Sequence, residues 1–374
     1  MLAVFWCAVG FVTYTYVGYP LLIWLLSRLR PDYHGSLENS GASPTICVIV
    51  PAFNEEGRIA AKIENLLAQD YPREKLELLF VSDGSTDSTA QRVESSAAAR
   101  LIAYQQRLGK PHALAAGVAA TTAEVIVFAD VRQRLVPGAL KCLVATLQVP
   151  GIGVVSGDLV HIEPGSSQAA RIGLYWRYEK LIRRAESRWS STVGTTGALY
   201  AIRRADFAPV AEDTILDDFE IPMAIVRRRQ RAVIDTRAIM FDELQKETRG
   251  ERQRKVRTLT GNFQSFMRHP WLFSPLANPV WFQFISHKVF RLFVPYALAA
   301  ALISSVLLGG PFFLTIAVLQ VLFYALAGLG RLSSGAREHP LVSFPTVFVE
   351  LNVAAVVALC RYATGHASAR WEKT

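Results

Sequence analysis

The sequence predicts an α/β domain with a mostly parallel sheet, inserted between transmembrane helices. Three observations lead to this fold class. Of the 374 residues, 51% are apolar and only 19% charged, and the mean hydropathy is +0.24, so the chain is less polar than a typical soluble domain. The apolar residues are concentrated in long uncharged runs near both ends. The charged central part alternates short β-branched runs with helical patterns, which is typical of parallel βαβ units.

The first uncharged run extends from Met1 to Ser27 and ends at Arg28 and Arg30. A helix needs about 20 apolar residues to cross the hydrocarbon core, so this run is long enough. The alternative is a cleaved signal peptide, but the run has no basic start and no small-residue cleavage site, and it is too long for that type of apolar region. We therefore predict a transmembrane helix over residues 1–30.

Two further apolar runs lie near the C-terminus. Leu292–Gly330 is interrupted by Gly309–Pro311, which predicts two helices joined by a tight turn. Leu341–Cys360 contains Glu350. A carboxylate in mid-membrane is unfavourable, so either Glu350 faces the protein interior or this segment is re-entrant or interfacial. Residues 292–374 are thus predicted as a membrane region with two transmembrane helices and a third spanning or re-entrant segment.

The segment 276–291 mixes Trp and Phe with His, Lys and Arg, which predicts an amphipathic helix at the membrane surface. Basic residues favour the cytoplasmic side of membranes, so we expect residues 31–275 to form a cytoplasmic domain of an integral protein of the cytoplasmic (inner) membrane. The side on which the tail with Arg361, Arg370 and Lys373 lies depends on whether the third segment spans.

The cysteines and the net charge exclude some classes of protein. Cys7, Cys47, Cys142 and Cys360 are far apart and form no metal-ligand spacing, which argues against a disulfide scaffold and a structural zinc site. The net charge of +9 suits nucleic acid, anionic lipid or a phosphorylated substrate. We expect no nucleic-acid partner, because the basic residues lie beside membrane spans and no nucleic-acid-binding motif is present.

Polar residues follow three predicted strands. The run 45–50 is followed by Asn54, Glu55 and Glu56, the run 76–81 by Asp83, and the run 124–129 by Asp130. Ligands of open α/β sheets bind at the carboxyl ends of the strands. Acidic side chains there suit the hydroxyl groups of a sugar or a divalent metal ion.

Seven motifs follow one another in this chain: VIVPAFNEE (48–56), FVSDGSTDST (80–89), GKPHALAAGV (109–118), VFAD (127–130), TTGALYAIRR (195–204), TILDDFEIPM (214–223) and RKVRT (254–258). In this order and spacing they resemble the family 2 glycosyltransferases of GT-A fold, and in particular the membrane-integrated branch of the cellulose and hyaluronan synthases. The resemblance implies an inverting hexosyltransferase (EC 2.4 class) that uses a nucleotide sugar, usually a UDP-sugar.

The resemblance implies a nucleotide-sugar site formed by Pro51, Asn54, Glu55, Glu56, Asp83, Lys110, Asp130 and Arg132. Lys110 would offset the charge of the diphosphate. The residues alone allow other roles: Asp83 also suits the opening of a turn, and Lys110 also suits a solvated loop. Asp130 would bind Mg²⁺ or Mn²⁺, although Arg132 stands where the family has a second acid. Arg132 then either contacts phosphate directly or leaves the metal more weakly held.

The acceptor side is implied by the later motifs. Asp218 would be the general base that removes the proton of the acceptor hydroxyl, with Asp217 beside it; the alternative is that Asp217 or Asp213 caps a helix. Arg254 and Arg257 would lie beside the diphosphate and the acceptor, with Thr258 in place of the family's Trp; the alternative is a basic helix at the membrane surface. Gly197 would allow close approach of the acceptor or simply form a turn. We assign no family role to the basic run 227–231.

The predicted function is transfer of a sugar from a nucleotide-sugar donor to a growing polysaccharide or another glycan, with the lipid bilayer as a partner and a homo-oligomer or an export subunit as a further option. One alternative is a single transfer to a lipid-linked acceptor, a polyprenyl phosphate. The other is a non-catalytic relative that binds nucleotide or glycan.

Overall fold

The computed structural model describes residues 1–31, 33–36, 43–163, 174–243, 249–337 and 339–366. Arg370 and Lys373 of the tail lie outside them. The described residues form one eight-stranded sheet in the order β3-β2-β1-β4-β7-β6-β8-β5. The strands are β1 Ile46–Ala52, β2 Leu76–Asp83, β3 Arg100–Tyr104, β4 Val125–Ala129, β5 Arg134–Leu135, β6 Ile152–Ile162, β7 Leu199–Arg203 and β8 Arg231–Glu243.

The sheet is mixed and mostly parallel, as predicted. Strand β1 pairs in parallel with β2 and β4, and β2 pairs in parallel with β3. Strand β7 runs antiparallel to both β4 and β6, β8 is parallel to β6, and β5 is antiparallel to β8. Strands β1, β2, β4, β6 and β8 therefore all end at the same edge. This edge carries the polar residues that the sequence places after β1, β2 and β4.

Helices cover both faces of the sheet. They are α2 Glu56–Leu67, α3 Thr89–Glu94, α4 Lys110–Ala119, α5 Ala139–Leu147, α6 Leu174–Trp189, α7 Asp217–Arg227 and α8 Arg249–Arg268. Strand β1 shows why two apolar cores form. Ile46, Val48 and Val50 join one core, whereas Cys47 and Ile49 join the other, because successive side chains of a strand point to opposite faces. Both faces are apolar, so β1 is a fully buried central strand.

Among the described residues, four helices are long and apolar enough to cross a membrane: α1 Leu2–Arg28, α9 Trp281–Leu308, α10 Gly310–Leu332 and α11 Pro340–Ala363. The start of α1 packs near the start of α10, where the rings of Phe5 and Phe313 are 5.1 Å apart. Helices α1 and α9 each contain a π-helical turn, and Tyr14 Oη and Ser286 Oγ of these turns lie 2.8 Å apart. The two π-turns therefore hold α1 and α9 together by a polar contact.

The structure differs from the prediction of a separate amphipathic helix over 276–291. Residues from Trp281 onward are the first part of the continuous helix α9. The polar residues face α6 instead of a lipid surface: His287 Nδ1 lies 2.7 Å from Glu186 Oε1, and Arg291 Nη1 donates to Glu179 Oε2 at 2.5 Å. These contacts account for the presence of His287 and Arg291 within an apolar helix.

Glu350 of α11 is also paired within the protein. Arg337, in the single helical turn Ser334–Arg337, donates to both of its carboxylate oxygens at 3.2 and 2.9 Å. This two-point contact neutralises the carboxylate of Glu350, whose place in an apolar run the sequence alone left unexplained. The later part of α11 packs against α8, where Val256 contacts Ala354 and Ala358 in a small apolar cluster.

Candidate active site

The polar residues after β1 connect two loops at the strand edge. Asn54 has a left-handed backbone (φ 53°), its Oδ1 accepts from Thr86 N at 2.8 Å, and its own N–H donates to Ser85 Oγ. Glu56 Oε2 accepts from Ser88 N at 3.0 Å. Pro51 lies opposite Val81 in the β1–β2 ladder. These predicted nucleotide-site residues are thus brought together, and their hydrogen bonds hold the loop after β1 against the loop after β2.

Glu55 is held differently from its neighbours. Its carboxylate accepts from Arg58 at 2.6 Å, and its backbone N–H donates to Thr89 Oγ1 at 2.7 Å. The side chain of Glu55 is therefore partly neutralised in the free protein. A ligand that reaches this carboxylate competes with Arg58.

Asp83 positions the next loop. It is buried, and its two oxygens accept from Leu108 N at 2.7 Å and Gly109 N at 2.9 Å. Gly109 has φ 104°, a backbone conformation that favours glycine. The hydrogen bonds of Asp83 therefore hold the turn that starts α4, and this turn places Lys110 at the strand edge.

Lys110 is the central cation of the site. Its Nζ lies 2.9 Å from Asp130 Oδ1 and 3.7 Å from Asp217 Oδ2, and its side chain is 15% exposed. Burial alone would lower the pKa of Lys110, but the carboxylates of Asp130 and Asp217 outweigh burial and raise it. Lys110 is therefore a fixed positive charge between β4 and the start of α7.

Asp218 lies against the loop that precedes β7. Its backbone oxygen accepts from Thr195 N at 2.9 Å and from Thr195 Oγ1 at 3.0 Å. A Cβ on Gly197 would be 2.8 Å from Asp218 Oδ2, so only glycine leaves room for the carboxylate. Helix α7 begins at Asp217 with no side-chain hydrogen bond at its N-cap, Leu216, so the helix-capping alternative is not what the structure has.

Asp217 is buried, and its Oδ2 makes no hydrogen bond within the described residues. Burial raises the pKa of Asp217 to about 6; Lys110 opposes this shift, while Asp218 and Asp130 add to it. The buried hydroxyl of Tyr200 has no hydrogen-bond partner among the described residues either, and burial together with these acids raises its pKa. The floor of the site thus holds polar atoms whose hydrogen-bonding capacity is unused.

The raised pKa of Asp217 predicts a pH dependence of stability. The folded protein holds this proton up to about pH 6, whereas the unfolded chain releases it near 3.8. The free energy of unfolding should therefore decrease as the pH rises from about 4 to 6, by roughly 2–3 kcal/mol from this group. Asp217→Asn should remove this slope. The melting temperature of the variant minus that of the parent should therefore increase from pH 4 to pH 7.

Thermal unfolding in detergent, followed by tryptophan fluorescence, measures this difference. Asp70→Asn is the matched control, because Asp70 is exposed and forms only a surface pair with Lys141. Equal pH slopes for the parent and Asp217→Asn would contradict the assignment.

Arg132 does not stand free at the strand edge. It forms an ion pair with Asp242, near the end of β8, and Asp242 is buried. The sequence reasoning missed Asp242, because it lies 110 residues away and only the sheet pairing brings it near. Beneath the same loop, buried Lys62 donates to the Gln133 carbonyl at 2.8 Å, and burial lowers the pKa of Lys62 to about 7. Asp242 therefore already neutralises the charge of Arg132.

Arg254 and Arg257 lie on α8, which packs against the segment before Asp217. A Cβ on Gly261 would be 2.6 Å from the Leu216 side chain, and Gln264 Oε1 accepts from Ile215 N at 2.9 Å. Residues four apart share a helix face, so Arg257 lies one turn from Gly261 on the face that meets this segment. The helix therefore connects the two predicted acceptor-side motifs.

Asp130 could hold a divalent cation only together with ligands from the donor. Within the described ranges, no group of three His, Cys, Asp or Glu residues is arranged to hold a metal. Asp130 offers a single carboxylate, with one oxygen bonded to Lys110. Mg²⁺ is often bound by one or two carboxylates together with substrate phosphates, and Asp130 meets this requirement. The donor's own phosphates would have to supply further ligands.

Comparison with known proteins agrees with this geometry. Residues 47–208 match the sequence family "Glycosyl transferase family 2". The mannosyltransferase PcManGT from Pyrobaculum calidifontis, solved in complex with GDP-Man and Mn²⁺, is similar with a TM-score of 0.71 and 25% identity, over 95% of this chain and 97% of that chain. The likeness extends over both the sheet domain and the long apolar helices.

Two curated relatives match shorter parts. An N-acetylglucosaminyltransferase of Bradyrhizobium diazoefficiens is 26% identical over an alignment of 203 residues that covers 51% of this chain and 41% of that protein. A glucosyl-3-phosphoglycerate synthase of Mycobacterium tuberculosis is 36% identical over 111 residues, which are 27% of this chain and 33% of that protein. The chain thus spans less than half the length of these relatives. The chain therefore has the GT-A fold, and its residues 47–208 are similar to family 2 glycosyltransferases.

Proposed function

We propose that this protein is a membrane-bound inverting glycosyltransferase that transfers a sugar from a nucleoside-diphosphate donor to a glycan acceptor at the cytoplasmic face. The observation that carries the proposal is the grouping of Asp130, Lys110, Asp217 and Asp218 at the carboxyl edge of the sheet. The long apolar helices support a place for it in the membrane-integrated branch that includes the cellulose and hyaluronan synthases.

The proposed reaction is a single displacement. The oxygen of the acceptor hydroxyl attacks the anomeric carbon, and the bond from that carbon to the diphosphate oxygen breaks. Asp218 takes the hydroxyl proton as the new bond forms. The nucleoside diphosphate leaves with the electron pair of the broken bond, and in this proposal the ammonium of Lys110 offsets its charge.

The remaining residues have positioning roles in this proposal. Asp83 sets Lys110 through the 108–109 turn, and Gly197 leaves space for the carboxylate of Asp218. Arg254 and Arg257 would face the diphosphate and the acceptor from α8. Mg²⁺ or Mn²⁺ bound at Asp130 would further neutralise the diphosphate. The pairing of Arg132 with Asp242 argues for a role in holding the loop rather than in binding phosphate.

The test is release of nucleoside diphosphate by the purified full chain in nanodiscs. A panel of UDP- and GDP-sugars, each with Mg²⁺, Mn²⁺ or EDTA, identifies the donor and the metal requirement. Release with one donor, together with a glycan product, supports the proposal. Donor binding with no release, in the presence of glycan and polyprenyl-phosphate acceptors, would instead favour a binding protein.

Gly197→Ala offers a steric test of the base assignment. The added methyl would lie 2.8 Å from Asp218 Oδ2 and 3.0 Å from Asp218 Cβ, so the carboxylate must move. A displacement of about 1 Å at a reacting group can lower the rate about 100-fold, and we expect kcat to fall by this order with KM little changed. Gly138→Ala is the control, since a methyl there meets no atom within 4 Å. Equal kcat values for the two variants would refute the steric argument.

A further inference from the structure

The basic run 227–231 lies outside the proposed chemistry, yet it borders a defined cavity. Helix α7 ends at Arg227, and a cavity of about 450 Å³ lies between one side of this helix, from Phe219 to its end, and the segment 269–272. Arg227, Arg228, His269 and Trp271 line it, with Met223 and Leu272 as apolar lining. The guanidinium of Arg227 lies 5.0 Å from the centre of the Trp271 ring. The cavity therefore combines positive charge with an aromatic wall.

The cavity lining also includes Glu220, and its carboxylate is already paired. Glu220 accepts from Ser265 Oγ at 2.8 Å, and its Oε2 lies 3.2 Å from His269 Nε2. Arg227 and Arg228 are exposed. Their position at the end of α7 also suits the helix dipole, but that interaction does not require a cavity. Two exposed arginines over a cavity instead suit an anionic group of ligand size.

Exposed apolar side chains lie beside this cavity. Leu276 is 84% exposed and Phe273 is 44% exposed, just before α9 begins at Trp281. Arg229, with a left-handed backbone (φ 66°), donates to the Leu276 carbonyl at 3.1 Å and holds this segment next to the arginines. Apolar tips next to arginines, at the start of a helix long enough to span a membrane, are typical of a surface in contact with lipid.

We propose that this cavity binds the headgroup of an anionic phospholipid, with Arg227 and Arg228 contacting the phosphate and Leu276 and Phe273 in the acyl region. Arg227 and Arg228, which would hold the phosphate, lie at the opposite end of α7 from Asp217 and Asp218. Lipid binding here is independent of donor binding, and its failure would leave the proposed reaction untouched.

The test titrates a fluorescent phosphatidylglycerol into the delipidated full chain in detergent, with a fluorescent phosphatidylcholine in parallel. Each arginine near an anionic lipid contributes on the order of 1 kcal/mol, so Arg227→Gln/Arg228→Gln should weaken phosphatidylglycerol binding about tenfold or more. Leu276→Gln should weaken it several-fold. Arg73→Gln/Arg92→Gln, which removes two other exposed arginines, should leave it unchanged.

Melting temperature and nucleoside-diphosphate release in detergent should stay at the parent level in all three variants, which separates lipid binding from folding and catalysis. Unchanged phosphatidylglycerol affinity in Arg227→Gln/Arg228→Gln would overturn the proposal. So would an equal loss in the Arg73/Arg92 control, because binding would then follow net charge only. Complete displacement of the lipid by millimolar inorganic phosphate would assign the cavity to a free anion instead.

Discussion

Asp218→Asn is expected to lower the rate of sugar transfer by about 10²–10⁴-fold while donor affinity stays within twofold, because general-base catalysis contributes about this much. The amide has nearly the same shape as the carboxylate, and the Thr195 contacts go to the backbone oxygen of residue 218, so the local fold should persist. The loss should therefore appear in kcat. Steady-state release of nucleoside diphosphate and equilibrium binding of the donor together measure both quantities.

The control for this variant is Asp213→Asn. Asp213 is exposed, lies on the segment that leads to Asp218 and pairs with Arg268 of α8. Its substitution therefore removes a nearby carboxylate without changing the proposed reacting position. If Asp218→Asn still transfers sugar to a glycan acceptor at the parent rate, Asp218 is not the general base. Retention only with a polyprenyl phosphate would favour the single-transfer alternative, since a phosphate oxygen needs no base to act as nucleophile.

Lys110→Met is expected to have the second large effect. It removes the cation that lies 2.9 Å from Asp130 and 3.7 Å from Asp217, leaving these two acids with no ammonium between them. Charge-assisted contacts contribute about 1.5–3 kcal/mol, so affinity for the nucleoside diphosphate should fall roughly 10- to 100-fold. The protein should also unfold at lower temperature near pH 7, because Asp217 loses the charge that opposes its protonation.

A double substitution separates the two consequences of losing Lys110. Asp217→Asn in the Lys110→Met background should restore much of the melting temperature, but it should not restore nucleotide affinity. Lys141→Met is the matched control, since Lys141 is a half-buried lysine that pairs with the exposed Asp70 away from the site. If Lys110→Met binds nucleoside diphosphate as tightly as Lys141→Met does, Lys110 has no role at the diphosphate.

Those parts of the fold that depend on local pattern could be predicted from the sequence. The β-branched runs gave β1, β2 and β4, and Asn54, Asp83 and Asp130 meet at one edge because parallel strands end together. Strands β5 to β8 were not predicted individually. The eleven residues of β6 include polar positions such as Ser156 and Asp158, which are buried through contacts made elsewhere in the sheet domain.

The sequence did not show which residues far apart in the chain pair with one another. The partner of Arg132 is Asp242, which only the β5–β8 pairing brings close. The partner of Glu350 is Arg337, although the sequence did indicate that this carboxylate needed an explanation. For Asp83 the motif indicated a ligand contact, whereas the structure gives both oxygens to backbone N–H groups. The roles of the site residues toward donor and acceptor remain predictions.

The position of α8 has a mechanical consequence. One side of α8 holds the segment before Asp217 through Gly261 and Gln264, and the other side packs on α11 through Val256 and Phe263. A water-soluble fragment ending before α9 would keep the donor-side loops but expose that second side of α8. Helix α11 is therefore part of the support of Asp218, the proposed general base. In the proposed membrane setting, the thickness and lateral pressure of the bilayer act on the same helix that sets the position of Asp218.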